Sequence, residues 1–85
     1  MYQFIWDETE TGNLVHLAEH GVTPEEAVDV FEHAERYGRS RSSGLPIVLG
    51  ATAAGRYLLV VYEEVAALTI YVLTAYDVEP PPHNR

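Results

Sequence analysis

The stretch His-Gly-Val-Thr-Pro-Glu-Glu-Ala-Val-Asp-Val-Phe, residues 20–31, ends one predicted helix and begins the next. Gly21 suits a helix C-terminus because glycine adopts the left-handed backbone conformation without a steric penalty. Thr23 is placed to cap the second helix with its hydroxyl, and Pro24 occupies the first helical position. Glu26 is then the third helical residue, which completes a capping box. The stretch therefore predicts two helices joined by a tight connection.

Apolar spacing on either side of this stretch extends the two helices. The first is predicted over residues 13–20 and the second over about 24–35. Each carries its apolar residues on one side, as a helix packed against another layer does. These residues are Leu14, Leu17 and Ala18 in the first helix, and Ala27, Val28, Val30, Phe31 and Ala34 in the second.

The remaining regular structure is predicted to be β-strand. Strands rich in β-branched and aromatic residues are expected at residues 2–6, 47–49, 57–62 and 68–76. The connections at 51–55 and 63–67 are too short for crossovers, so the last three strands form an antiparallel meander. Residues 36–44 are rich in Ser, Gly and Arg, which indicates either a loop or a loose edge strand.

These elements define the fold class as α+β, with two helices packed on a small antiparallel β-sheet in the order β-α-α-β-β-β. A single domain is expected over residues 1–79. Three consecutive prolines follow from Pro80, so residues 80–85 are predicted to be a mobile tail.

Length and composition narrow the functional classes. A chain of 85 residues has room for one hydrophobic core. With no cysteine, it has no disulfide framework and no zinc–thiolate site. No apolar run approaches the ~18 residues that a membrane-spanning helix needs, and the first residues lack the pattern of a signal peptide. We therefore expect a cytoplasmic protein with no membrane contact.

The net charge of −8 is unevenly distributed. Residues 1–35 hold nine acidic side chains and neither Lys nor Arg, whereas residues 36–62 hold four arginines and no acid. A nucleic-acid-binding protein normally presents a broad basic face, and this chain offers only a local basic strip. The acidic segment 1–35 either attracts a basic partner or is a solvated helical face that maintains solubility.

Several of these residues, in this order and spacing, carry a resemblance to a known family. They are Trp6-Asp7-Glu8, Asn13, the His20–Ala27 stretch, Gly50 and Gly55-Arg56. Over residues 3–62 the chain resembles the BrnT family of bacterial type II toxins. The resemblance implies a fold like that of the RelE-group ribonuclease toxins and RNA cleavage without a metal or other cofactor. It also implies inhibition by a DNA-binding antitoxin, a basic ribbon-helix-helix protein.

The chain departs from the family pattern at several arginine positions. The family commonly has a Glu-x-Arg pair where this chain has Ser43 and Leu45, and an arginine near Glu64. It typically ends its last strand in Ser-Ala-Arg, where this chain has Tyr76 in place of the arginine. Two interpretations follow. The protein is a ribonuclease toxin, or it is a catalytically decayed toxin-fold protein that acts as a partner-binding or regulatory module.

The candidate site residues are three arginines, a histidine and a tyrosine. Arg56 is the first catalytic candidate, since a guanidinium stabilises the charge that develops on a phosphate. Arg39 and Arg41 are candidates for RNA binding. His20 either transfers a proton during cleavage or satisfies carbonyls at the end of its helix. Tyr76 acts as a weak acid or a base-stacking surface, or is simply a packing residue.

Two further patterns bear on metal binding and on pairing with another chain. His16-Leu17-Ala18-Glu19-His20 matches the H-x-x-E-H pattern of zinc peptidases, but a five-residue match is weakly specific and so short a chain cannot easily enclose a peptidase cleft. We therefore expect no metal site. An exposed edge strand beside residues 36–44 could pair with a partner chain or with a second copy, which would give a homodimer.

Overall fold

A computed structural model describes residues 2–81 and places both helices against one face of a five-stranded sheet. The strands are β1 (Gln3–Ile5), β2 (Arg36–Arg39), β3 (Pro46–Ala51), β4 (Tyr57–Ala66) and β5 (Thr69–Asp77), and the helices are α1 (Asn13–Glu19) and α2 (Pro24–Glu32). The predicted α+β class is thus confirmed. Helix α2 ends three residues earlier than predicted, with His33 as its C-terminal cap residue.

The sheet has the order β1-β5-β4-β3-β2, and it is mixed rather than purely antiparallel. Strand β1 runs parallel to β5, with Gln3 opposite Thr69, whereas all other neighbours are antiparallel. The expectation of an antiparallel sheet was therefore wrong at this edge. Short connections dictate antiparallel pairing only between consecutive strands, and β1 is separated from β5 by nearly the whole chain.

Two segments differ from the predicted order in length or type. Residues 36–39 form an edge strand, one of the two alternatives left open, so the order is β-α-α-β-β-β-β. The predicted connection at 63–67 was wrong, because β4 continues to Ala66 and the turn falls on Ala67 and Leu68. Both glutamates at 63 and 64 are exposed, and an exposed strand end tolerates charge that a buried strand would not.

The core lies between the helices and the adjacent sheet face. Its fully or nearly fully buried members from the helical side are Leu17, Val22, Ala27, Val30 and Phe31, and those from the sheet are Val48, Leu58, Val60, Ile70, Val72 and Ala75. Register pairs Val60 with both Val48 and Ala75 on this face, and the register shift between Val61 and Tyr62 brings Val72 to the same face. Burial of this apolar surface is the main stabilising contribution to the fold.

Asn13 joins the end of β1 to the start of α1. Its side chain is fully buried, and its Oδ1 accepts a hydrogen bond from the Asp7 backbone N–H at 2.7 Å. Its Nδ2 donates to the Ile5 carbonyl oxygen at 2.8 Å. A buried amide with both ends satisfied holds strand and helix in one relative position. Gly12 is required beside it, since a Cβ there would overlap the Asp7 backbone.

The connection between the helices forms as predicted. Gly21 has φ +68°, in the left-handed region. The Thr23 Oγ1 accepts from the Glu26 backbone N–H at 3.2 Å, and the Glu26 Oε1 accepts from the Thr23 backbone N–H at 3.0 Å. This capping box holds the Glu26 side chain at the N-terminus of α2. There its Oε1 also accepts a hydrogen bond from Arg56.

The other face of the sheet carries no helix in the described part of the chain. By register, Ile47, Leu49, Leu59, Val61 and Tyr76 share this face. The four aliphatic members are half-buried and Tyr76 is exposed. We name this side of the sheet the open face. A ligand could reach it, because no helix within the described residues covers it.

The described residues end at Pro81, so the remainder of the predicted tail lies outside them. Between residues 2 and 81, neither helix is long and apolar enough to cross a membrane.

Candidate functional site

Arg56 follows the turn before β4 and reaches the end of β5. Its Nε donates to Asp77 Oδ1 at 2.7 Å and its Nη2 donates to Asp77 Oδ2 at 2.8 Å, a two-point contact that matches the planar guanidinium to the carboxylate. The contact lowers the pKa of the Asp77 carboxyl and raises the pKa of Arg56. Each group therefore stabilises the charged form of the other.

The same guanidinium also binds both helix ends. Its Nη1 donates to the Gly21 carbonyl oxygen at 2.7 Å and to Glu26 Oε1 at 3.1 Å. Its Nη2 donates in addition to the His20 carbonyl oxygen at 3.1 Å. The side chain is only 28% exposed. We name this set the Arg56 clasp: Arg56, Asp77, Glu26 and the carbonyl groups of His20 and Gly21.

Donor counting shows what the Arg56 clasp leaves for a ligand. A guanidinium has five N–H donors and no acceptor. The clasp uses one donor from Nε, two from Nη1 and two from Nη2. Every donor is thus occupied, and a phosphate at Arg56 would first have to displace Asp77 or a backbone carbonyl. In this arrangement Arg56 ties α1, α2 and β5 together.

The other predicted arginines lie around a depression on the open sheet face. It has a volume of about 390 Å³ and is lined by Arg39, Ser40, Arg41, Ser42, Ile47, Leu59 and Tyr76. We name it the Arg39–Arg41 depression. Its rim is basic and hydroxylated, whereas Ile47 and Leu59 contribute an apolar floor. Such a surface can contact a phosphate and an adjacent apolar or aromatic group.

The two arginines of the depression differ in their internal contacts. Arg39 Nη1 donates to the Gly44 carbonyl oxygen at 3.1 Å, which leaves most of its donors available. Arg41 makes neither a hydrogen bond nor an ion pair with another side chain or carbonyl among residues 2–81. Both are exposed. The positive charge in this region is therefore accessible.

His20 and Tyr76 connect the two regions. Their ring centroids are 5.7 Å apart with an interplanar angle of 52°. Tyr76 lines the Arg39–Arg41 depression, whereas the backbone carbonyl of His20 belongs to the Arg56 clasp. Of the five predicted site residues, the structure thus brings Arg39, Arg41 and Tyr76 together, and the His20 ring lies next to that of Tyr76. The guanidinium of Arg56 is directed into the clasp.

Sequence reasoning missed Asp77 as a site residue and assigned Glu26 only a capping role. Asp77 lies 21 residues after Arg56, and Glu26 lies 30 residues before it. No helical or strand periodicity relates such positions. The β4–β5 register sets Asp77 opposite Leu58, two residues beyond Arg56, but this register became known only from the structure.

The histidine pattern of α1 does not assemble a metal centre. His16 lies within the helix and approaches Glu19 at 3.8 Å, whereas His20 is the C-terminal cap residue. Within residues 2–81, no group of three or more His, Cys, Asp or Glu side chains is arranged to hold a metal ion.

Comparisons of this chain with protein-family models, with curated proteins and with solved structures found no match. The BrnT resemblance therefore depends on the sequence motifs quoted above. The positions of the arginines and acids in the structure have to support any functional conclusion.

Proposed function

We propose that this protein is a BrnT-like component of a toxin–antitoxin pair whose main property is to bind a basic ribbon-helix-helix antitoxin, rather than to cleave RNA. The observation that supports this proposal most directly is the saturated guanidinium of Arg56. The family resemblance makes Arg56 the leading catalytic residue, yet all five of its donors are used by the fold. A phosphodiester has no donor left to bind there.

Charge distribution supports the same proposal. The first 35 residues contain nine acids and no Lys or Arg. Among them, Glu25 and Glu32 of α2 are exposed and make no hydrogen bond or ion pair with the rest of residues 2–81. A polyanion such as RNA is repelled by this region, whereas a basic protein is attracted to it. The helical layer therefore suits a basic protein partner.

The decisive experiment compares binding with cleavage in one preparation. We expect the reading frame beside the gene to encode a short basic protein. We further expect the purified protein to form a stable complex with it, measured by calorimetry. We also expect total RNA to remain intact after incubation with the same preparation in EDTA. Rapid RNA degradation that copurifies with the folded protein would contradict the proposal.

Expression in cells gives an independent check. A decayed toxin should not arrest growth when overexpressed without its partner. Growth arrest in the wild type that is relieved by Arg41→Ala would overturn the proposal and support the enzymatic alternative. Arg36→Ala serves as the matched control, because Arg36 is an exposed arginine of β2 that does not line the depression.

The Arg39–Arg41 depression favours a second candidate function, a metal-independent ribonuclease. Arg39, Arg41 and Tyr76 surround a space large enough for part of a nucleotide. In this alternative the two guanidinium groups bind phosphate, and Tyr76 stacks on a base or donates a proton. Cleavage that survives Arg56→Lys and disappears in Arg39→Ala/Arg41→Ala would favour this candidate.

A further inference from the structure

A groove runs along the outer side of α2 beside the end of β1. It has a volume of about 320 Å³ and is lined by Trp6, Pro24, Glu25, Val28, Asp29 and Glu32. Half of these residues are apolar and half are carboxylates. The groove therefore combines negative charge with an apolar contact surface. A merely solvated acidic face has no such apolar surface.

The three carboxylates of the groove occupy one face of α2. Glu25, Asp29 and Glu32 follow the spacing i, i+4 and i+7, so they stand above one another along the helix. Like charges at these spacings repel, and a bound cation removes the repulsion. Asp29 is partly engaged, since its Oδ2 accepts from the Ala53 backbone N–H at 2.7 Å.

Trp6 contributes the aromatic surface of the groove. The indole is half-buried and lies parallel to the Phe4 ring, at a centroid distance of 6.2 Å and an interplanar angle of 11°. Phe4 in turn packs edge-on against Phe31 of α2 at 5.4 Å. The indole is thus held in place before any partner arrives, and an indole beside carboxylates is an environment that suits a guanidinium.

We infer that this groove binds an arginine side chain of a basic partner segment. Trp6 would contact the guanidinium plane, and the carboxylates of Glu25 and Glu32 would accept its hydrogen bonds. Arginine fits better than lysine, because a planar guanidinium can stack on an aromatic ring and still donate several hydrogen bonds. The inference rests on the proposed function, and it identifies one surface by which the antitoxin-type partner is held.

Trp6 is the one tryptophan of the chain, so its fluorescence reports on this groove alone. We would titrate the full chain with a short peptide of alternating Arg and Gly, and with the matched Lys-Gly peptide. We expect a saturable change in Trp6 emission, with the arginine peptide binding about fivefold more tightly. No change in emission, or equal affinity for both peptides, would overturn the inference.

Two double variants separate the groove from general charge attraction. Glu25→Gln/Glu32→Gln should weaken binding of the arginine peptide about tenfold. Glu10→Gln/Glu63→Gln makes the same change in net charge at exposed residues outside the groove, and it should stay within about twofold of the wild type. Equal weakening by both variants would overturn the inference.

A third measurement distinguishes failure of the inference from failure of the proposed function. The basic protein that we expect to be encoded beside the gene is titrated against the wild type and against Glu25→Gln/Glu32→Gln. Equal binding by the wild type and by the double variant overturns the inference about the groove and leaves the proposed function intact. If the wild type does not bind that protein but its Trp6 still responds to the arginine peptide, the arginine site stands and the proposed function fails.

Discussion

The Arg56 clasp and the Arg39–Arg41 depression use the same residue type for opposite purposes. In the clasp, the Arg56 guanidinium donates all five of its N–H groups to Asp77, Glu26 and two backbone carbonyls. In the depression, two guanidinium groups make a single hydrogen bond within residues 2–81, from Arg39 to Gly44. The contrast shows that an arginine's availability to a ligand is decided by its neighbours in space.

The largest expected difference between the two regions is in how much each arginine contributes to the free energy of unfolding. Arg56→Ala is expected to lower the free energy of unfolding by about 2 kcal/mol, because it removes hydrogen bonds that join three elements. Arg41→Ala should change it by less than about 0.5 kcal/mol, as for other exposed positions without contacts. Urea unfolding followed by circular dichroism measures both. Equal losses would show that the clasp has no special structural role.

For RNA binding the expected order is reversed: arginines of the depression should matter and Arg56 should not. If the Arg39–Arg41 depression binds RNA, as in the second candidate function, Arg39→Ala/Arg41→Ala should weaken retention of single-stranded RNA about tenfold and flatten its salt dependence, because two phosphate contacts would be lost. Arg56→Lys should leave both quantities unchanged. A filter-binding series at several salt concentrations measures them. A loss in Arg56→Lys as large as in the double variant would place the phosphate contact in the clasp.

Acid titration tests the clasp alone. The Arg56 contact lowers the folded-state pKa of Asp77 below its usual 3.8, so this interaction stabilises the fold above that value. The stabilisation is lost as the pH falls through the folded-state pKa. Asp77→Asn should therefore melt at a lower temperature than the wild type near neutrality, and the two should converge on acidification. A constant difference across the series would contradict this assignment.

The smallest expected effect concerns the residue between the two regions. Tyr76→Phe keeps the ring beside His20 and removes a hydroxyl that makes no hydrogen bond within residues 2–81. Stability should change by less than about 0.5 kcal/mol, whereas Tyr76→Ala should cost about 1 kcal/mol through the lost aromatic contact. Thermal unfolding of both variants measures the difference. A large loss in Tyr76→Phe would reveal a structural role for the hydroxyl.

Local features of the fold could be predicted from the sequence, and non-local ones could not. The capping box of Thr23 and Glu26 lies within four residues, so neighbouring positions specify it. The parallel pairing of β1 with β5 depends on residues near both ends of the chain, and no spacing rule reaches that far. The mixed sheet therefore became visible only in three dimensions.

The candidate site follows the same division. The basic strip of Arg39 and Arg41 could be identified because charge and loop composition are local properties. The engagement of Arg56 could not, because its carboxylate partners come from α2 and β5. Sequence patterns identified which side chains carry charge. Only the packing of the elements decided which of those charges remain accessible.

The pairing of β1 with β5 has a consequence for biosynthesis. Among the described strands, the ribosome makes β1 first and its one neighbouring strand, β5, last. Until β5 emerges from the exit tunnel, Gln3–Ile5 have no strand partner within the described residues. Closure of this edge is therefore a late event that requires long-range contact formation, which slows the folding of such topologies.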